Sequence, residues 1–443
     1  MNPLPTGGLS LAALEEQVLQ PGVKGLPITQ PLRQHMIGAQ GWNVLNADTS
    51  FPVAVLKQSA LQHNLQWMHA FCERHGVVLA PHGKTTMSPQ LFGAQLANGA
   101  WGITLATAYQ VQIAARFGVR RVIIANELVA PADIRAMLHL LREDPGFELY
   151  ALVDSLDGVQ RLSAAVQASG LSRPLPLLVE MGMPGKRAGA RSADEVMAVA
   201  RAVAQAPGLQ LAGVEGYEGL ASSPAEVDAF LQGIVACVRA ADAEGLFGGG
   251  QILISAGGSA YFDLVAHGFA GLDGLSRKVL PVMRSGCYLT NDHGTYQQAM
   301  GEIAAREAAA GLASGGAART GSLLPALEVW SVVLSRPEPN LAILSMGKRD
   351  ASHDIGLPKA LYRHRPGVAG AAAPADLPAG AEIVKMNDQH AYLRWPEDAA
   401  ADIQVGDLLG CGISHPCTTF DKWPLLLLVD DQYNVQQAIN TFF

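Results

Sequence analysis

The sequence predicts an α/β chain in which a closed (β/α)8 barrel of the TIM type is joined to a second, mostly β domain. Eight short apolar runs recur between residues 77 and 284, separated by segments with helical periodicity, which is the count and spacing of a closed parallel barrel. The loops after the seventh and eighth runs are glycine-rich, as barrel loops that bind phosphate are. Beyond a Gly-, Ala- and Ser-rich stretch at 311–321 the pattern changes to short β-like runs, which marks a domain boundary. A doubly wound open sheet is the alternative for the first part.

Taken in order, residues 1–52 hold several prolines and a short amphipathic stretch, and read as an N-terminal arm that contributes to the β domain. A strand is expected at 53–56, followed by a helix at 59–75 in which Leu61, Leu65, Met68, Phe71 and Cys72 recur at helical spacing with Ser59 as N-cap. The barrel, 53–310, has its strands at 77–80, 102–105, 122–125, 149–153, 175–180, 209–215, 251–255 and 280–284. Helices are expected at 108–117, 132–141, 156–168, 193–206 and 225–244, another beginning near 260, and one at 297–309. The β domain, 321–443, has runs at 327–334, 341–344, 382–386, 391–395, 408–409 and 425–429, interrupted by a Pro/Gly/Ala loop at 366–380.

Composition narrows the function. With 49% hydrophobic and 16% charged residues the chain is globular rather than disordered. Its formal charge of −8 argues against nucleic acid or an anionic membrane as partner and favours a small metabolite. Five scattered cysteines make a poor disulfide framework and suit a reducing compartment. No basic segment followed by an apolar core opens the chain, and no apolar run reaches the roughly 18 residues that span a membrane, so a cytoplasmic location is expected.

Lys84 follows the first barrel run in Pro81-His82-Gly83-Lys84-Thr85. A lysine there is either a surface cation or a Schiff-base nucleophile whose pKa is lowered by partial burial, acting on an aldehyde cofactor. Glu180 and Arg187 follow the fifth run; the arginine can meet a ring nitrogen or a carboxylate, or form a structural ion pair with Glu180. Tyr217 follows the sixth and can flank a cofactor or simply pack. The loops Gly257-Gly258-Ser259 and Gly286-Cys287-Tyr288 offer backbone N–H groups to an anion, which points to a phosphate-bearing cofactor. In the β domain, His415 and Cys417 stand two residues apart, so in an extended segment both face one side and can share an ion; nitrogen with sulfur suits zinc. The clusters His353-Asp354 and His390 can reach the mouth from above, or be ordinary surface turns.

Pro-His-x-Lys-Thr at 81–85, Gly-x-x-x-x-Arg-x-Gly at 182–189, Gly257-Gly258-Ser259, Gly286-Cys287-Tyr288 and His415-x-Cys417, in this order, resemble the D-threonine aldolase and D-serine dehydratase family of fold-type III pyridoxal-phosphate enzymes, relatives of alanine racemase. The resemblance covers nearly the whole chain from Val53. It implies a pyridoxal 5'-phosphate barrel of the alanine racemase-like fold with Lys84 as the Schiff-base lysine. It also implies the phosphate near Ser259, Gly286 and Cys287, Arg187 at the pyridine nitrogen, Tyr217 against the cofactor, and His415 with Cys417 as ligands of a divalent metal, zinc by their donor types. Members of the family are homodimers in which the β domain of one chain closes the barrel mouth of the other. The aldolases carry His-x-Asp at the metal position, whereas D-serine and D-3-hydroxyaspartate dehydratases carry His-x-Cys. Cys417 therefore implies a lyase that deaminates a D-β-hydroxy amino acid by β-elimination, with D-threonine-type aldol cleavage, a racemase and a non-catalytic pyridoxal-phosphate carrier as alternatives. The arm of about 50 residues and the 366–380 segment are additions to the smaller members, and bear on substrate identity.

Overall fold

The computed structural model describes residues 4–258, 260–309, 322–367, 373–399 and 402–443. All eight expected barrel strands are present: β1 (Val78–Leu79), β2 (Ile103–Leu105), β3 (Arg121–Glu127), β4 (Glu148–Val153), β5 (Leu175–Met181), β6 (Leu209–Gly216), β7 (Gln251–Ala256) and β8 (Lys278–Met283). They form one parallel sheet from β2 through β8 to β1. Its two edges meet where Trp101 N donates to Leu79 O at 2.7 Å and Thr104 N to Pro81 O at 2.9 Å, which closes the barrel.

The strands read as apolar runs because both of their faces are covered. Ala80, Ile123, Leu152, Leu178, Ala212, Leu253 and Val282 form a layer inside the barrel. Neighbours one residue along, such as Ile124, Ala151, Val153, Leu177, Val179, Ile252 and Ile254, pack outward against the helices. Those helices run at Ala108–Arg116, Pro131–Glu143, Leu156–Ser169, Ala193–Gln205 and Pro224–Ala243. Four begin with a hydroxyl that accepts a backbone N–H of the first turn: Thr107 from Gln110, Ser155 from Gly158, Ser192 from Glu195 and Ser223 from Glu226. The helix expected near residue 260 begins at Phe262.

The second sheet runs Ala375–Asp376, Lys359–His364, Leu408–Gly412, Leu327–Glu338, Leu341–Leu344, Ala391–Arg394, Glu382–Met386, all antiparallel neighbours. Val53–Lys57 joins it, antiparallel to Leu327–Glu338 and parallel to Leu425–Val429. Three strands were not legible: Lys359–His364, Ala375–Asp376 and Val435–Asn440 mix polar with apolar residues because parts of them face water. Ala375–Asp376 falls within the 366–380 segment expected as loop, of which 368–372 lie outside the described residues, as does all of the boundary stretch at 311–321.

Residues 4–51 strap both sheets together. Leu4, Leu9, Leu11 and Leu14 enter the barrel core, while Leu19, Leu26, Ile37, Val44 and Leu45 pack with Val53, Trp330 and Leu425. Lys24 lies 3.8 Å over the Trp423 ring and 2.7 Å from Asp350, which fixes the arm beside the segment that carries His415.

Candidate active site

The mouth of the barrel opens on a cavity of about 300 Å³ at which the βα-loops and one loop of the β domain converge. Lys84, in the 3-10 turn Gly83–Thr85 directly after β1, lines it together with Arg187, Tyr217, Gly257, Gly258, Gly286, Cys287, His415 and Cys417. Nine of the eleven sequence-predicted residues thus meet in one place. Lys84 is exposed there, rather than partly buried as expected. Ser259 lies outside the described residues.

Tyr288 does not join them: it is buried, and its hydroxyl accepts the Gln95 amide at 3.3 Å. The cause is the 3-10 turn Cys287–Leu289, which rotates successive side chains by about 120° and so sends Cys287 to the cavity and Tyr288 into the core. His353 and His390 remain exposed on the surface.

Below the mouth the parallel register places Glu180 opposite Glu215, and Glu215 opposite Ser255. Arg284, just past β8, closes this row. Its Nη1 is 2.5 Å from Glu215 and donates to Ser255 Oγ at 2.6 Å, and its Nη2 donates to Gly216 O at 2.9 Å. Both ionic partners are buried, and burial pushes the Glu215 carboxyl up while Arg284 pulls it down. Burial, the neighbouring Glu215 and a hydrogen bond with Glu127 push Glu180 up to about 10, so it keeps its proton at neutral pH. No ion pair joins Glu180 to Arg187 among the described residues; the Arg187 guanidinium instead sits 4.9 Å over the Tyr217 ring.

The two glycine loops pack backbone against backbone. A Cβ on Gly257, whose φ is +143°, would stand 2.5 Å from Arg284 N, and one on Gly286 would stand 2.5 Å from His82 O. The N–H groups of Gly257 and Gly258 both point at an anion, but it is the chain's own: they donate to the Glu218 carboxylate at 2.9 and 2.6 Å. Glu218 is fully buried, which pushes its carboxyl up against the pull of those N–H groups. His82 also lines the cavity, and its buried Nδ1 has no hydrogen-bond partner, a polar atom left for a ligand group. A phosphate-bearing aldehyde fits this set: an amine at the mouth, a cation stacked on an aromatic ring opposite, and close-packed glycine loops between them.

His415 and Cys417 do meet, though not on extended backbone: Pro416 is helical and Cys417 opens the turn Cys417–Phe420. The imidazole and the thiol are hydrogen-bonded to each other, which raises His415 to about 9; hydrogen bonds with Cys287, then His415 and Thr85, hold Cys417 well below the usual thiol range. His415 Nδ1 lies 2.6 Å from Asp354 Oδ2, and Thr418 Oγ1 donates to Asp354 Oδ1 at 2.8 Å. A carboxylate on one ring nitrogen with a thiolate near the imidazole is the donor arrangement of a zinc ligand pair and its supporting acid. Among the described residues no group of three or more His, Cys, Asp or Glu stands assembled around an ion position.

The residues that sequence reasoning missed are Asp354 as partner of His415, Glu218, Arg284, His82 and Tyr296. Tyr296, on the helix Thr295–Ala309, lines the cavity and is hydrogen-bonded to Cys287, beside which its hydroxyl is pushed up. For Asp354 and Arg284 a signal was present: each lies in a polar segment that follows or faces a barrel mouth.

Comparison with known proteins agrees with this geometry. Residues 56–269 match the model of the alanine racemase N-terminal domain, and residues 326–429 that of the putative serine dehydratase domain. A 3-hydroxy-D-aspartate aldolase of Paracoccus denitrificans is 26% identical over 84% of this chain and 87% of its own length. The D-threo-3-hydroxyaspartate dehydratase of Delftia sp. is 30% identical over 45% of this chain and 52% of its own length. Its structure superposes on 90% of this chain and 99% of itself with a TM-score of 0.69 at 23% identity, and a cysteine-to-alanine mutant of such a dehydratase has been solved in a metal-free form. The structure of a D-threonine aldolase from Filomicrobium marinum covers 90% of this chain and 97% of itself, with a TM-score of 0.72 and 22% identity.

Proposed function

We propose, for a chain that belongs to the D-threonine aldolase and D-serine dehydratase family of alanine racemase-like enzymes, that it removes water from a D-β-hydroxy amino acid and releases a 2-oxo acid and ammonia. The observation that carries this reading is the His415–Cys417 pair, buttressed by Asp354 and brought to the cavity of Lys84 through Thr85, whose Oγ1 is 3.4 Å from Cys417 Sγ.

Lys84 would hold pyridoxal phosphate, which when bound supplies an electron sink at the substrate Cα. Arg187 and Tyr217 would orient its ring, the Gly286-Cys287 loop would hold its phosphate, and the Lys84 amine would take the α-proton on the face to which it is tethered. His415 and Cys417 would hold zinc, a Lewis acid for a departing β-hydroxyl. The α-proton and the hydroxide leave as water, and the remaining enamine hydrolyses to the oxo acid and ammonia. The β domain brings His415 and Cys417 to the rim of the mouth that Lys84 lines. A cytoplasmic location, supported by the five unpaired thiols, completes the reading, together with the homodimer that the resemblance to the family implies. No helix among the described residues is long and apolar enough to cross a membrane.

Aldol cleavage of the same substrates is the second reading, favoured by the Paracoccus relative, an aldolase by name. Product analysis decides: the protein, loaded with pyridoxal phosphate and zinc, is given D-threonine and, separately, D-serine. Formation of 2-oxobutanoate and ammonia from D-threonine supports dehydration, glycine with acetaldehyde replaces it with the aldolase, and no product from either amino acid overturns both for these substrates.

A further inference from the structure

We propose that Cys287 and Cys417 are a redox pair, which a hydroperoxide entering the cavity oxidises to a disulfide that bridges the barrel and the β domain at the mouth. The bond stands on the geometry alone; only its effect on turnover rests on the reading above.

Cys287 Sγ stands 3.8 Å from Cys417 Sγ, although the two residues come from different domains and are 130 positions apart in sequence. Sulfurs at that distance are already in contact, and a bond between them asks for about 2 Å of further approach, a small rotation of two side chains. Each residue opens a short turn, Cys287–Leu289 in the barrel and Cys417–Phe420 in the β domain, so no long element has to shift for them to meet. The other three cysteines are buried in separate elements: Cys72 in the helix Gln58–His75, Cys237 in Pro224–Ala243 and Cys411 in the strand Leu408–Gly412.

Burial sets the order of events. Both residues line the cavity of about 300 Å³ that opens at the mouth, Cys417 half-buried and Cys287 buried, so Cys417 meets the oxidant first. Its sulfur attacks one peroxide oxygen, the O–O bond breaks, and the other oxygen leaves as water with the thiol proton. The Cys287 sulfur then attacks the sulfur of the resulting sulfenic acid, the S–O bond breaks, and the hydroxyl leaves as a second water with the Cys287 proton. Two thiols and one peroxide give one disulfide and two waters; each sulfur loses one electron and each peroxide oxygen gains one. A neighbour that captures the sulfenic acid also keeps Cys417 from sulfinic acid, which thiols do not reverse. In the reducing compartment proposed above such a bond is transient, a response to oxidant and not part of the fold. While it lasts, Cys417 offers no thiolate, and the role given to it above is suspended until a dithiol restores it by exchange.

The test is hydrogen peroxide treatment of the protein loaded with pyridoxal phosphate and freed of metal by a chelator, then alkylation under denaturing conditions and non-reducing peptide mass mapping. A Cys287 peptide joined to a Cys417 peptide is expected, with two fewer free thiols than the five of the untreated chain and all five again after dithiothreitol. Cys287→Ser should form no link and carry Cys417 on to sulfinic acid. Turnover, measured after zinc is restored, should fall at least about tenfold on oxidation and return on reduction, since loss even of a group that only orients a metal ligand costs that much. Retention of all five thiols, a link between any other two cysteines, or sulfinic acid on wild-type Cys417 with Cys287 left free overturns the pair. The wild-type map decides this even if the variant does not fold. A link that forms without loss of turnover overturns its control of the reaction. If the reduced protein turns over nothing, the proposed function fails while the link, read by mass, still stands.

Discussion

Asp354 Oδ2 lies 2.6 Å from His415 Nδ1, across 61 positions of sequence. A carboxylate at that distance accepts the Nδ1–H and fixes the plane of the ring, so that loss of the Nε2 proton to a bound metal would leave the tautomer whose Nε2 lone pair the metal needs. Asp354→Asn should weaken zinc binding by about 10- to 100-fold, measured by competition with a chelator, while pyridoxal phosphate loading stays unchanged. Equal zinc affinity in the two proteins would show that the pair is an ordinary surface contact.

Lys84 stands at the mouth of the cavity, at the end of β1, and its neighbours are fixed by burial: Gly83 and Thr85 are both enclosed. Lys84→Ala should therefore leave the fold intact while it removes both the Schiff-base absorption of bound cofactor and the base for the α-proton. Turnover should fall by at least about 10³-fold. Retention of turnover with the absorption lost would mean that another residue performs the proton transfer.

How much of this was legible follows from what covers each element. The barrel strands have helices on one side and packed side chains on the other, so Leu177, Leu178 and Val179 stand consecutively and the strand declares itself. Lys359–His364 and Val435–Asn440 have polar residues toward water, and a short mixed run looks like loop. The site was legible where one loop carries its own signal, as in Lys84 or the glycine loops. It was hidden where two distant loops complete each other: Asp354 with His415, or Glu218 with the N–H groups of Gly257 and Gly258. Tyr288 was misread because a sequence motif gives the order of residues but not the rotation of a 3-10 turn.

The Arg284–Glu215 pair is buried on both sides; burial pushes the Glu215 carboxyl up, and the guanidinium beside it pulls it down. Arg284→Met should cost about 3–5 kcal/mol in denaturant unfolding, because Glu215 is then left in the interior without a counter-charge. Adding Glu215→Gln to that variant should recover a large part of the loss. If the double variant is as unstable as the sum of the two single ones, the pair is not coupled and Arg284 acts through Ser255 and Gly216 alone.

Glu180 offers a test of the electrostatics beneath the cavity, because its proton is held up to about 10 in the folded chain against 4.5 for the free side chain. The sign follows from the proton count. Between those two values the unfolded chain has released the proton and the folded chain still holds it, so each rise in pH favours the unfolded state, by at most about 1.4 kcal/mol per unit. Below 4.5 the two states bind the proton alike and the penalty vanishes; above about 10 both have lost it and the penalty is constant. Glu180→Gln has no such proton. It can still donate to Glu127, so it keeps the contact while it removes the titration. In the cofactor-free protein, wild type and variant should unfold at similar denaturant concentrations at pH 5, and the variant should be the more stable of the two at pH 9. Parallel curves across that range would mean that Glu180 is ionised in the folded chain, and that the row of Glu180, Glu215 and Arg284 holds two carboxylates against one guanidinium.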